Sequence, residues 1–304
     1  MSIDVLIKKI KEKNNPTVAG LDPLLSYVPE HITTECFKKY GETLEGASKA
    51  IYRFNTALID ELSDVVAAVK LQSAYYELYG WRGVKVLDET VRYAKDKGLY
   101  VIVDVKRNDI GSTAKAYAGA YLSGADVGGK LIPAFGADSI TVNGYLGTDG
   151  ITPFTEACRE HKKSIFVLVK TSNPSSGELQ DKKIGESPVY EVMADMVNGW
   201  GEDLIGEYGY SCVGAVVGAT YPEMQKVLRK RMPKAYFLVP GYGAQGAGAA
   251  DVVNAFNEDG LGAVINSSRA IMCAYKKTGD SVNFARAARD EAVRMRDEIT
   301  AALG

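Results

Sequence analysis

Eight short runs of apolar and β-branched residues recur from one end of the chain to the other, and they limit its possible folds more than any other feature. They are "TVAGLDP" from residue 17, "VVAAVKLQ" from 65, "YVIVDVK" from 100, "SITVN" from 139, "SIFVLVKT" from 164, "VGAVVGAT" from 213, "YFLVPGYG" from 236 and "GAVINSSR" from 262. The runs are almost continuously apolar rather than alternating, the pattern of strands buried on both faces of a parallel sheet. The stretches between them are long enough for crossover helices. In "SPVYEVMADMVNGWGEDLI", Ser187 is placed to cap a helix, Pro188 suits its first turn, and Val189, Met193, Met196, Trp200 and Leu204 make one apolar stripe. In "TYPEMQKVLRKR", Thr220 and Glu223 stand at capping-box spacing. Eight strands alternating with helices favour an α/β fold of the single (β/α)8 TIM-barrel type over a doubly wound sheet. The run at 139 is the shortest of the eight.

The 304 residues are many for an average domain but fall within the range of one α/β barrel. No linker, low-complexity segment or shift of composition divides them, so residues 1–304 are read as one barrel domain. Ile3, Leu6 and Ile10 share a helical face in "MSIDVLIKKIKEKNN", whose lysines break up any signal-peptide core, and the segment reads as an N-terminal helix. No apolar run approaches the ~18 residues of a membrane span. Thirty-six lysines and arginines against 38 acidic residues leave a formal charge of −2, which excludes a general nucleic-acid binder. The four cysteines are scattered without a CxxC pair and there are two histidines, so no metal site is expected, and the default location is the reducing cytoplasm.

A barrel of this type carries its active site at the carboxyl ends of its strands, and there the polar residues of this sequence fall. Asp22 ends the first run, Lys70 the second, Asp104 and Lys106 the third, Asn143 the fourth, and Lys170 with Ser172 the fifth; Gln245 and Arg269 follow the seventh and eighth. Asp104 and Lys106, two apart on an extended chain, leave the strand on the same side. With Lys70 from the adjacent strand they form an alternating array in which each charge offsets the burial of the next. A buried ion pair closing the barrel mouth would account for the pair alone; a cluster at strand ends favours function. Asp109 reads as a loop carboxylate, Thr113 as the cap of the helix "AKAYAGAYL", and Lys170 as surface-directed rather than a Schiff-base former. Gly241, Gly243 and Gly246 in "PGYGAQGAG" let backbone amides approach an anion, Gln245 offers a donor, and Arg269 in "NSSRAI" offers a bidentate fork, together a phosphate site.

The stretch "DVKRNDIGST", with Asp104, Lys106, Asp109, Ile110 and Thr113, resembles the signature of the orotidine 5′-phosphate decarboxylase family. "GLDP" at 20, "VKLQ" at 69, "TSNP" at 171, "PGYGAQG" at 240 and "NSSRAI" at 266 follow in that family's order, so the resemblance spans nearly the whole chain. Its length and the extra segments at 23–38 and 173–187 are similar to the longer bacterial-type subfamily. The resemblance implies a homodimeric barrel that converts orotidine 5′-phosphate to uridine 5′-phosphate without metal or organic cofactor. It implies a catalytic array of Lys70, Asp104, Lys106 and Asp109, the last entering the neighbouring subunit's site together with Ile110 and Thr113. It further implies that Asp22 binds the ribose, Ser172 the pyrimidine edge (with Thr171 and Ser175 as competitors), Gln245 both pyrimidine and phosphate, and Arg269 the phosphate. The rival enzyme reading is a magnesium-dependent sugar-phosphate decarboxylase or aldolase sharing Asp-x-Lys-x-x-Asp; the rival from another class is a noncatalytic nucleotide-binding barrel.

Overall fold

The computed structural model describes residues 1–243 and 246–304. The eight apolar runs become eight parallel strands: β1 (Thr17–Leu21), β2 (Ala68–Gln72), β3 (Tyr100–Arg107), β4 (Ser139–Val142), β5 (Ser164–Lys170), β6 (Ser211–Val217), β7 (Ala235–Pro240) and β8 (Ala263–Ser267). They close into a barrel in chain order, β8 pairing with β1 through Thr17 and Ile265. The expected α/β barrel is therefore the observed one. Almost every strand residue is buried, because side chains face either the barrel interior or the surrounding helices. The large helices of that layer are Leu44–Leu62, Gly80–Asp96, Thr148–His161, Val189–Gly201, Pro222–Arg231 and Phe284–Leu303. Among the described residues, no helix is long and apolar enough to cross a membrane.

The N-terminal helix, Ser2–Lys13, buries Ile3, Leu6, Ile7 and Ile10 against the amino-terminal end of the barrel. The Ser2 hydroxyl bonds there to the hydroxyls of Tyr100 (2.9 Å) and Ser164 (2.8 Å), the first residues of β3 and β5. At the same end Arg229 is buried and, among the described residues, has no carboxylate at ion-pair distance. Its guanidinium donates to the carbonyls of Ala255 (2.9 Å), Met232 (2.8 Å), Ala235 (2.8 Å) and Gly262 (2.7 Å) and lies 3.6 Å from the centre of the Phe237 ring. Burial lowers its pKa to about 10.

Three helix starts differ from the sequence reading. Ser187 and Pro188 are not the start of their helix but form a two-residue antiparallel pairing with Lys183–Ile184; the helix begins at Val189. Its buried face is Tyr190, Ala194, Val197 and Gly201, a rotation from the expected stripe that leaves Met193 and Trp200 half-buried. Thr220 is not a cap, because Pro222 opens that helix one turn position later with Tyr221 before it, and the Thr220 hydroxyl is buried without a partner. Thr113 is not a cap either: its helix runs Gly111–Ala118, which puts Thr113 inside the first turn and exposed.

Candidate active site

The carboxyl ends of the strands enclose a cavity of about 650 Å³. On one side stand β1 to β4. Pairing of Gly20 with Lys70, and of Gln72 with Asp104, brings the ends of β1, β2 and β3 to one level. Lys70, 3% exposed, places Nζ 3.3 Å from both Asp22 Oδ1 and Asp104 Oδ2. Lys106 Nζ lies 2.6 Å from Asp104 Oδ1. The array is thus Asp22–Lys70–Asp104–Lys106, alternating in sign, with Lys106 its most exposed member.

Lys106 does not leave a regular extended strand. Its φ of +47° is left-handed, a conformation that costs a lysine on the order of 1 kcal/mol and persists only where the surroundings enforce it. The enforcing group is Thr141 of β4, which accepts from the Lys106 N–H at 3.0 Å and donates its own hydroxyl to Asp104 Oδ1 at 2.7 Å. Gln72 Nε2 donates to Asp104 Oδ2 at 3.0 Å. Gln72 and Thr141 were not singled out from the sequence. Their only signal is position, since each is a polar residue at a strand end facing the same mouth.

Burial alone would raise the Asp104 carboxyl, but the ammoniums of Lys70 and Lys106 override it and hold its pKa at about 2. Burial likewise opposes the Lys70 ammonium, and Asp22 and Asp104 together reverse that, raising its pKa. For a carboxyl depressed from an unfolded value of about 3.9, the stability contribution is complete above that value and is lost as pH falls toward the folded one. The stability difference between wild type and Asp104→Asn should therefore be level above roughly pH 4 and change progressively below it. Thermal melts at stepped pH test this; a difference that holds constant into the acid range would show that Asp104 is not so depressed.

The opposite side of the cavity carries Thr171, Ser172 and Asn173 after β5, Gly241 and Tyr242 after β7, and Arg269 after β8. Gly241, Gly243 and Gly246 have φ of +106°, +75° and +88°, which a side-chain-bearing residue adopts only with strain, so the loop's amides turn where other sequences could not follow. Gln245 lies outside the described residues. The Thr171 hydroxyl is occupied by Gln180 Nε2 (2.8 Å) and Asn173 Oδ1 (2.6 Å), and Ser175 does not line the cavity.

Asn143, Asp109, Thr113 and Lys170 do not line the cavity. Asn143 turns outward, its Oδ1 accepting from the Tyr145 N–H, and Thr141 takes its place in the mouth. Asp109 does not touch its own chain's array; its Oδ1 accepts from the Ile110 N–H, and Ile110 is 56% exposed beside it. Thr113 is exposed and does not line this cavity. Lys170 is completely buried rather than surface-directed.

A closed parallel barrel with its charged side chains gathered at the carboxyl mouth is a TIM-barrel protein of the kind that works at that mouth. Comparison with known proteins narrows the class. A model of the orotidine 5′-phosphate decarboxylase / HUMPS family matches residues 49–281, and the chain belongs to that family. An orotidine 5′-phosphate decarboxylase of Caldicellulosiruptor bescii is 41% identical over 300 residues, covering 99% of this chain and 98% of that protein. One from Clostridium tetani is 41% identical over 305 residues, covering 100% and 99%. The solved structure of Leishmania donovani OMP decarboxylase superposes with a TM-score of 0.70 at 30% identity, over 97% of this chain and 98% of that one.

Proposed function

We propose that this protein decarboxylates orotidine 5′-phosphate to uridine 5′-phosphate and carbon dioxide, in the cytoplasm and without metal or organic cofactor. The observation that carries the reading is Asp104 fixed between two ammoniums, 3.3 Å from Lys70 and 2.6 Å from Lys106, across a cavity from a glycine-rich loop and Arg269.

Loss of carbon dioxide from C6 of the pyrimidine leaves a carbanion with no adjacent electron sink, so its charge must be met by charges already in place. Lys106 supplies one: its ammonium stabilises the developing carbanion and then gives C6 a proton, acting as general acid. Asp104 lies against the substrate carboxylate, and the repulsion between them falls as carbon dioxide departs. Lys70, with Gln72 and Thr141, keeps the Asp104 carboxylate from turning away. Asp22 binds the ribose, Ser172 the pyrimidine edge, and Arg269 and the loop of Gly241, Gly243 and Gly246 the phosphate, with Gln245 between pyrimidine and phosphate. Because the Thr171 hydroxyl is already occupied and Ser175 stands off the cavity, Ser172 is the hydroxyl favoured for the pyrimidine.

We further propose a homodimer in which Asp109, Ile110 and Thr113 complete the neighbouring site. In support, Asp109 makes no ion pair with its own array, its Oδ1 accepting instead from the Ile110 N–H, and Ile110, Tyr145 and Leu146 are 56%, 76% and 49% exposed, apolar surface of the kind that a second copy covers. The reaction is tested by spectrophotometric assay with orotidine 5′-phosphate and EDTA: sustained turnover supports the reading, and activity abolished by EDTA and restored by magnesium favours the sugar-phosphate rival. Shared sites are tested by subunit mixing. Lys106→Ala and Asp109→Ala homodimers should each be nearly inactive, and re-equilibrated together they should recover about a quarter of wild-type activity, since half the dimers are mixed and each holds one intact site. No recovery in demonstrably mixed dimers of the two inactive variants would place Asp109 within its own chain's site, and an active Asp109→Ala homodimer would place it outside catalysis.

A further inference from the structure

Lys170, the last residue of β5, is 0% exposed, does not line the cavity and has no part in the chemistry above. An ammonium in such a place must be met by partners or it destabilises the fold, so what meets it is held there in turn. Its hydrogen-bonding partners come from one stretch of chain, residues 173–187, which the sequence motifs do not explain. Nζ lies 2.7 Å from Asp181 Oδ1 and 3.2 Å from Ser176 Oγ, with the Tyr221 ring centre at 4.7 Å and that of Tyr190 at 5.6 Å. The stretch so held returns to the cavity rim: Gln180 Oε1 accepts from the Thr171 N–H (3.0 Å) while its amide donates to the Thr171 hydroxyl (2.8 Å). Behind Ser172 stands Gly218, where a Cβ would come within 2.9 Å of the Ser172 Cβ, so the strip is fixed from both sides.

We propose that Lys170 is a positioning residue: its buried ammonium pins residues 173–187 to the barrel rim through Asp181 and Ser176, and that pinning sets the Thr171–Asn173 edge against which the base of the nucleotide lies. The inference rests on the reading above that this edge faces the pyrimidine. Asp181, itself 43% exposed, is then not a surface carboxylate but the counter-charge that shapes the base side of the site.

The test compares two ligands that share a phosphate end but differ in the base. Binding of uridine 5′-phosphate and of ribose 5-phosphate is measured by calorimetry for wild type, Lys170→Met and Asp181→Asn, with circular dichroism to confirm folding. Both variants should bind uridine 5′-phosphate about tenfold more weakly, the loss expected when one or two hydrogen bonds at the base edge are misplaced, and ribose 5-phosphate as wild type does. The KM for orotidine 5′-phosphate should rise in step. Unchanged affinity for uridine 5′-phosphate in folded Asp181→Asn would overturn the proposal even if Lys170→Met fails to fold. Equal weakening of both ligands would also overturn it, by showing a general loosening of the barrel. Wild type that binds neither ligand would instead overturn the functional reading on which the proposal stands.

Discussion

Replacing Lys106 by alanine should lower kcat for orotidine 5′-phosphate by on the order of 10⁴-fold or more while leaving the protein folded. The size follows from the two tasks given to one ammonium. Electrostatic stabilisation by a fixed donor is worth about 10²–10³-fold and general acid catalysis about 10²–10⁴-fold, and a variant without the ammonium loses both at once. Folding should survive because Lys106 is the exposed member of the array, its side chain 43% accessible, whereas Lys70 at the centre is almost wholly buried between two carboxylates. Substrate binding should weaken as well. With Lys106 removed, Asp104 loses its nearest counter-ion and repels a substrate carboxylate more strongly, so orotidine 5′-phosphate should bind less tightly than uridine 5′-phosphate does to the same variant. A Lys106→Ala enzyme with turnover within tenfold of wild type would remove that lysine from the mechanism and leave proton delivery to another group.

Arg229→Met should cost about 4 kcal/mol of stability and lower the melting temperature by roughly 6 °C. Methionine keeps much of the length of the side chain but none of its donors. The carbonyls of Ala255, Met232, Ala235 and Gly262 are then left without the partner that satisfies them inside the protein, and each unmet group carries its own desolvation penalty. Lysine in the same place should recover only part of the loss, since one ammonium with three donors cannot serve four carbonyls in the plane that a guanidinium spans. All four carbonyls lie away from the carboxyl-end cavity, so the enzyme that remains folded at low temperature should keep its wild-type kcat. Thermal unfolding and initial rates on the same preparation separate the two properties; a loss of kcat in folded protein would mean that the amino-terminal end of the barrel communicates with the mouth.

The barrel and the centre of its site were legible in the sequence because both rest on contradictions of burial. A run of valines and isoleucines that ends in Lys70, or in Asp104 and Lys106, has no reason to bury a charge unless other charges await it, and neighbouring strands supply them. Gln72 and Thr141 escaped notice because glutamine and threonine are ordinary in strands; their importance lies in whom they bond, which only pairing register decides. Lys170 was misread for a related reason. Its partner Asp181 stands eleven residues further on in a loop, and no local pattern announces a loop that folds back under its own strand. Ser187 and Thr220 failed as caps because neighbouring structure took precedence: a small strand pairing claimed Ser187, and the fixed φ of Pro222 set the helix start after Thr220. Asn143 and Thr141 are two apart and compete for one mouth, so the identity of the inward residue turned on the length of β4.

The two sides of the cavity are built from different parts of the chain, the charged array from β1 to β4 and the glycine-rich loop and Arg269 from beyond β5. A nucleotide bound as proposed would be a crossbeam that joins the first half of the barrel to the second. Occupied, the rim is braced along a diameter where the empty barrel has only its circumference, and a ligand that lacks either end leaves that diameter open.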